Sequence, residues 1–221
     1  MIGLDFSLNY PAFCISKDWQ KFIWLAAVNT TIPKNYQKQL EDFQSEFPGI
    51  EIIQLEARPK KTEVYSTNER NKLQNYSIMI DALIERLEPL AADQNIVVSI
   101  EGVAYGAQGN ALVDICIATG MIRKAILDKI LKGDASRMFI FSPGELKNAI
   151  GAKGNANKWE VFQQFKQDPK IDAVRESSLY KLINKYEANI IKGTEIKSPF
   201  PDMVDSYLAV LKIHESLKEP N

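Results

Sequence analysis

The 221-residue chain has only two cysteines, Cys14 and Cys116, and a single histidine, His214. Two thiols cannot make a disulfide framework, and both have apolar neighbours, so buried free thiols in a reducing compartment are the expectation. His214 falls late in the final helical segment and reads as a surface or packing residue. No apolar run approaches the ~18 residues a membrane helix requires, so no membrane partner is expected. The opening Met1-Ile2-Gly3-Leu4-Asp5 lacks a basic segment and puts an acid where a signal peptide is apolar. A charge surplus is missing too: 27 basic and 28 acidic side chains leave a formal net charge of -1. That excludes a highly basic protein that coats nucleic acid. It does not exclude an enzyme acting on nucleic acid, whose electrostatic footprint is local. No G-x-x-x-x-G-K-[ST] occurs, and Lys158 is followed by Trp159, which disfavours a nucleotide P-loop.

What is present is globular, with 45% apolar and 25% charged residues. Residues 2–7, 11–16 and 21–28 read as three short strands separated by turn-like Leu8-Asn9-Tyr10 and Lys17-Asp18-Trp19, a spacing suited to an antiparallel meander. A polar helix is expected over 34–47, stopped by Pro48-Gly49, and a strand over 50–55. Leu73, Tyr76, Ile80, Leu83, Ile84 and Leu87 share a face at helical spacing, with Pro89 at the end. The β-branched run Ile96-Val97-Val98-Ser99-Ile100 has the mark of a buried central strand. A long helix striped by Leu112, Ile115, Ile122, Ile126 and Ile130 follows, then a strand over 138–141 and a helix over 157–166. Residues 167–198 have no clear period, and a last helix follows Pro199-Phe200-Pro201. A meander followed by alternating helix and strand predicts an α/β domain with one mixed sheet.

Four carboxylates stand out by placement. Asp5 sits inside an apolar strand, where Asp is depleted, and Glu101 ends another. Asp202 and Asp205 are three apart at the start of a helix, so they share a face with Cβ atoms about 5–6 Å apart. Each has a plainer reading alone: Asp202 as an N-cap with Asp205 complementing the helix dipole, Asp5 as a strand-end acid paired with a lysine, Glu101 as a turn residue. Together they can converge on one pocket, and four close anions need cations. Hard oxygen ligands favour Mg²⁺ or Mn²⁺, and two such ions about 3.5–4 Å apart hold the attacking and leaving oxygens of a phosphodiester displacement.

The most distinctive stretch is basic and glycine-containing, Ser142 to Lys158. Gly151 and Gly154 let a backbone pass close to a phosphate, and the helix N-terminus after Asn157 adds partial positive charge. By charge alone the stretch reads as a solvated connector between two helices; otherwise Lys147 and Lys158 are placed to flank a scissile phosphate, with Lys153 between them, and Lys158 to stabilise developing negative charge. Tyr105, in the loop after Glu101, offers a ring either to stack on an unpaired base or simply to pack near the strand end. Arg58, Lys60, Lys61, Arg70 and Lys72 form a further local surplus ahead of the second helix, suited to a phosphate backbone or equally to an exposed helix entrance.

The ordered set Ile2-Gly3-Leu4-Asp5, Ile100-Glu101-Gly102, Leu146-Lys147 with Gly154-Asn155-Ala156-Asn157-Lys158, and Asp202-Met203-Val204-Asp205 resembles the RuvC family of crossover-junction endonucleases, over roughly residues 1–29, 96–166 and 199–217. The resemblance implies an RNase H-like fold with a mixed five-stranded sheet flanked by helices, in one nuclease domain spanning 1–221. It implies Asp5, Glu101, Asp202 and Asp205 as ligands of two Mg²⁺ ions, with Mn²⁺ able to substitute. Lys147, Lys153, Lys158 and Tyr105 would face DNA, Lys158 with a catalytic role. It further implies a cytoplasmic homodimer, in a bacterial cell or phage-infected host, nicking four-way (Holliday) junctions symmetrically in recombination and repair. Departures from the family pattern point to a divergent phage or viral member. Phe6-Ser7 stands where the family has Pro-Gly, Ala104 replaces its stacking aromatic with Tyr105 one position on, and 30–66 and 167–198 look like insertions. Other readings are a nuclease of the same fold acting on flaps or RNA–DNA hybrids, a non-catalytic DNA-binding module, and an actin-like ATPase. The last lacks a second glycine-rich phosphate segment.

Overall fold

The computed structural model describes residues 1–56, 61–91, 95–103 and 109–218. The three opening apolar runs become β1 (Ile2–Asp5), β2 (Ala12–Ser16) and β3 (Phe22–Val28), an antiparallel meander in which Gly3 faces Cys14 and Cys14 faces Trp24. Its turns are held locally: the Tyr10 amide donates to Ser7 Oγ at 2.9 Å, and Asp18 Oδ1 accepts from the Gln20 and Lys21 amides. Helix α1 (Lys34–Glu46) leads to β4 (Ile50–Gln54), parallel to β3. Then come α2 (Tyr65–Leu90), β5 (Val98–Glu101), α3 (Gly109–Ala125) with a π-helical turn at 126–130, and β6 (Met138–Phe141). β5 runs parallel to both β1 and β6.

The resulting sheet has the order β4-β3-β2-β1-β5-β6. The run β3-β2-β1-β5-β6, with only β2 reversed, is a mixed sheet of an antiparallel meander joined to parallel strands. The expected five strands are extended to six, because β4 adds itself at the β3 edge through Ile50 and Ile52, which are buried.

Side-chain alternation splits the core in two. Ala12, Cys14, Trp24 and Ala26 face one layer, which contains α1, α4 (Pro143–Ala149), α5 (Lys158–Gln167), α6 (Ser178–Lys185) and α8 (Phe200–Lys218). Ile2, Leu4, Phe13, Ile15 and Leu25 face the other, built from α2 and α3. A short α7 (Glu187–Ile190) and a ribbon of β7 (Ile191–Lys192) and β8 (Glu195–Ile196) lead into α8.

Three expectations are corrected. Helix α2 starts at Tyr65, about two turns ahead of its apolar stripe, so Arg70 and Lys72 lie inside it, over a stretch that no periodicity marks. Leu73, expected on the core face, is 48% exposed. Both thiols are free, but only Cys14 is buried; Cys116 is exposed on α3. Arg58 and Lys60 lie outside the described residues. Among the described residues, no helix is long and apolar enough to cross a membrane.

Candidate functional site

Strand parity decides which way the two strand acids point. In β1, Ile2 and Leu4 enter the α2/α3 core, so Gly3 and Asp5 turn to the α8 side; in β5, Val98 and Ile100 do the same and leave Ser99 and Glu101 facing α8. The parallel register pairs Gly3 with Ser99 and Leu4 with Ile100, so the next residues, Asp5 and Glu101, come side by side. Their carboxyls are close enough to act on each other, the Glu101 charge raising Asp5 and the Asp5 carboxyl holding Glu101 back.

Helix α8 supplies the second pair. It lies directly on β1 because residue 3 has no side chain: a Cβ there would sit 2.2 Å from the Ser206 carbonyl oxygen and 2.7 Å from the Val210 nitrogen. Trp24 Nε1 donates to the Met203 carbonyl at 3.1 Å, fixing the helix rotation beside the sheet. The helix begins at Phe200, with the Met203 amide bonded to the Pro199 carbonyl, so Asp202 stands within the first turn and is not an N-cap. Asp202 is 3% exposed and Asp5 7%.

The fifth group is Lys158. A capping box of Asn157 and Glu160 starts α5 and sets Lys158 as its first residue. Its ammonium lies 2.7 Å from Asp202 Oδ1 and 3.6 Å from Asp205 Oδ2, while its side chain as a whole stays 57% exposed. The charged head reaches inward along a stem that keeps contact with solvent.

The electrostatics follow from this crowding. Burial, then the charges of Asp205, Asp202 and Glu101, push the Asp5 carboxyl well above its usual range against the pull of Lys158. Burial lifts Asp205 to about 7, with Glu101 and Asp202 adding to the rise and Lys158 and Lys147 opposing it. Glu101 is raised by burial and held back by Asp5, Lys147 and Lys158. For Lys158, burial acts to lower the ammonium, but Asp202, Asp5 and Asp205 outweigh it and the net shift is upward.

This donor set fits a hard divalent cation. Its ligands are all carboxylate oxygens, and Asp202 Oδ2 is buried with no hydrogen-bond partner, an arrangement that costs free energy until a cation or donor satisfies it. As they stand, no three His, Cys, Asp or Glu side chains among the described residues are drawn tightly enough to hold an ion. The Lys158 ammonium sits between Asp202 and Asp205 and provides the positive charge there.

Lys147, on α4, is near enough to Glu101 and Asp205 to act on both. Lys153 is not gathered in: it is exposed on the α4–α5 connection and lines a shallow groove with Asn155 and Glu160. Gly151 has a local duty, since its positive φ of 84° lets the chain leave α4 while the Ala152 amide bonds back to Lys147. Tyr105 lies outside the described residues. His214 packs its ring 3.9 Å from that of Trp19. Two neighbours of the site were missed in the sequence. Arg123 Nη2 donates to the Glu101 carbonyl at 3.4 Å from α3, and the Tyr10 phenol is raised by burial and by the charge of Asp202. A lone Arg late in a helix and a Tyr in a turn have no periodic or motif signature.

No protein-family model matches the chain, and no curated protein matches it. Among solved structures it is similar to a Thermus thermophilus RuvC structure, with a TM-score of 0.49 and 14% identity over 98% of this chain and 97% of that one. It is also similar to T. thermophilus RuvC in complex with Holliday junction substrate, with a TM-score of 0.47 and 12% identity over 98% and 96% of the two chains.

Proposed function

We propose that the protein is a metal-dependent endonuclease that hydrolyses phosphodiester bonds in branched DNA, acting on four-way junctions by paired nicks as a homodimer. The carrying observation is the convergence of Asp5, Glu101, Asp202 and Asp205, from two strands and a distant helix, around the single ammonium of Lys158. The choice of branched DNA rests on the ordered motif set of four acids and two lysines. In this reading one nuclease unit spans the chain and works in the cytoplasm. Segments 30–66 and 167–198, which contribute α1, β4, α6, α7 and the β7–β8 ribbon, are additions to it.

Asp5, Glu101 and Asp205 would hold two Mg²⁺ ions, with Asp202 as a further ligand or as the acceptor that orients a water. Bound there, the ions supply a nucleophile at neutral pH and charge for the leaving oxygen. The chain's own residues do the rest. Burial under α8 keeps the carboxylates in one geometry and limits the water that reaches them. Lys158, with an exposed stem and a buried head, swings from the carboxylates to an arriving phosphate. Lys147 holds the strand from the α4 side, where its charge counts for more beside a partly dehydrated site than in bulk water.

The test is Asp5→Asn beside wild type on four-way, three-way and linear DNA at fixed salt. Cleavage is expected to disappear while junction binding persists. Undiminished cutting by Asp5→Asn refutes the site, and equal cutting of every substrate refutes the junction preference.

A further inference from the structure

Among the described residues, Lys158 is the one basic side chain in ion-pair contact with the carboxylate cluster, its ammonium 2.7 Å from Asp202 Oδ1 and 3.6 Å from Asp205 Oδ2. It is an incomplete counter-charge. One ammonium faces four acids, and it leaves Asp202 Oδ2 buried with no hydrogen-bond partner. Two divalent ions, the complement proposed above, would balance four carboxylates by themselves.

The ammonium and the ions call on the same side chains. Asp202 and Asp205, which hold Lys158 in this structure, are also proposed ligands. An ammonium left within a few ångström of a divalent ion would meet like charge in a partly dehydrated site, where water screens poorly. The two arrangements therefore exclude each other.

The fold lets one side chain leave without disturbing the rest. Lys158 is the first residue of α5, but the capping box is made by Asn157 and Glu160 and uses no atom of the lysine side chain. Buried Val161, Phe162 and Phe165 hold the helix on the core. The Lys158 side chain is 57% exposed, so its head can turn outward by rotation about its own bonds, with no core contact broken. Asp202, buried in the first turn of α8, cannot follow it.

We infer that Lys158 is an exchangeable counter-ion: it occupies Asp202 and Asp205 in the metal-free protein, gives them up when divalent ions bind, and only then presents its charge to the DNA strand. The inference rests on the nuclease function proposed here and adds an order to it, with metal loading first and the full grip on the strand second. Linkage makes the effect reciprocal: a strand that takes up the ammonium also strengthens metal binding.

Three measurements test it, and none reads cleavage. Amine acylation with mass spectrometry compares Lys158 in EDTA and in saturating Mn²⁺, without DNA. Lys153, exposed on the α4–α5 connection, is the internal reference. Labelling of Lys158 is expected to rise several-fold and that of Lys153 to stay unchanged. Calorimetric Mn²⁺ titration compares wild type with Lys158→Met, which is expected to bind on the order of tenfold more tightly because no ammonium has to be displaced. Fluorescence anisotropy then follows four-way-junction binding across a salt series, in EDTA and in Ca²⁺. On going from EDTA to Ca²⁺, the log–log salt slope of wild type is expected to steepen by about one unit more than that of Lys158→Met, the mark of one added phosphate contact.

Mn²⁺ binding that leaves Lys158 labelling unchanged overturns the exchange and leaves the nuclease function standing. So does a Lys158→Met protein that binds Mn²⁺ no more tightly than wild type. Equal steepening in the two proteins overturns the transfer to DNA. Wild-type protein that binds neither Mn²⁺ nor the junction overturns the nuclease function as well.

Discussion

Replacing Gly3 with alanine tests whether the fold and the candidate site are held by one contact. The added Cβ would lie 2.2 Å from the Ser206 carbonyl oxygen, 2.7 Å from the Val210 nitrogen and 2.9 Å from Val210 Cγ2. Two of these atoms are helix backbone and cannot rotate away, and β1 is fixed by strands on both sides. Relief requires α8 to retreat by about 1 Å. Forced overpacking of this kind costs about 1–3 kcal/mol, and with backbone on both sides the upper half of that range applies. For a chain of this length that is a fall in melting temperature of about 5–10 °C. The same retreat carries Asp202 and Asp205 away from Asp5 and Glu101. Ligand distances tolerate only about 0.2 Å, so apparent Mn²⁺ affinity is expected to weaken on the order of tenfold. Thermal melts with and without Mn²⁺ read both effects. Gly120→Ala is the control: it lies in α3 with nothing within 4 Å of an added Cβ, so it should leave Mn²⁺ affinity unchanged and raise stability by about 0.4–1 kcal/mol. A Gly3→Ala protein that melts with wild type and titrates with the same Mn²⁺ midpoint refutes the close-approach argument.

Lys158→Met removes the one cation between Asp202 and Asp205. In EDTA its melting temperature should drop by several degrees, and saturating Mn²⁺ should recover most of the loss; an unchanged melt in EDTA contradicts the ion pairing. Stability in EDTA should also depend on pH. Asp5, Glu101 and Asp205 are raised in the folded state, so the fold binds their protons more tightly than the unfolded chain does. Their contribution is full below about pH 4, the usual carboxylate range, and is lost as pH rises through about 7, where Asp205 ionises. Melts from pH 4.5 to 8.5 should show this decline and Mn²⁺ should flatten its upper end; a flat profile in EDTA contradicts the crowding. Lys147→Ala should slow junction cleavage roughly 10- to 100-fold, while Lys153→Ala should remain within about twofold, as single-turnover rates would show; equal losses would mean both lysines face the strand.

Legibility in the sequence followed periodicity. The meander, β5, β6 and the core stripe of α2 were readable because burial on one face or both writes a period of two, a continuous apolar run or a helical stripe. The acids were readable for the opposite reason: Asp5 breaks an apolar strand and Glu101 ends one. The early turns of α2 were not, because Tyr65 to Lys72 has no apolar side. The place of β4 in the sheet was not, because strand pairing is a long-range property that Ile50 and Ile52 share with any half-buried strand. Residues 167–198 hid α6 and the ribbon in short pieces, each below the length at which a period shows. That Lys158 reaches the acids was open as well. Its capping box is local and visible, but the direction of its head depends on α8, more than forty residues later.

The pairing of β1 with α8 also governs when the cluster exists. Asp5 is made almost two hundred residues before Asp202 and Asp205, so a chain halted or cut between them carries only half of the acids. Whatever chemistry the complete set performs is therefore withheld from fragments by topology alone, with no separate inhibitor. Contacts this far apart in sequence also close slowly, so the carboxylates should be among the last groups to meet as the protein folds. Two inert pieces, divided in the exposed connection between α4 and α5, would acquire function only on reassociation.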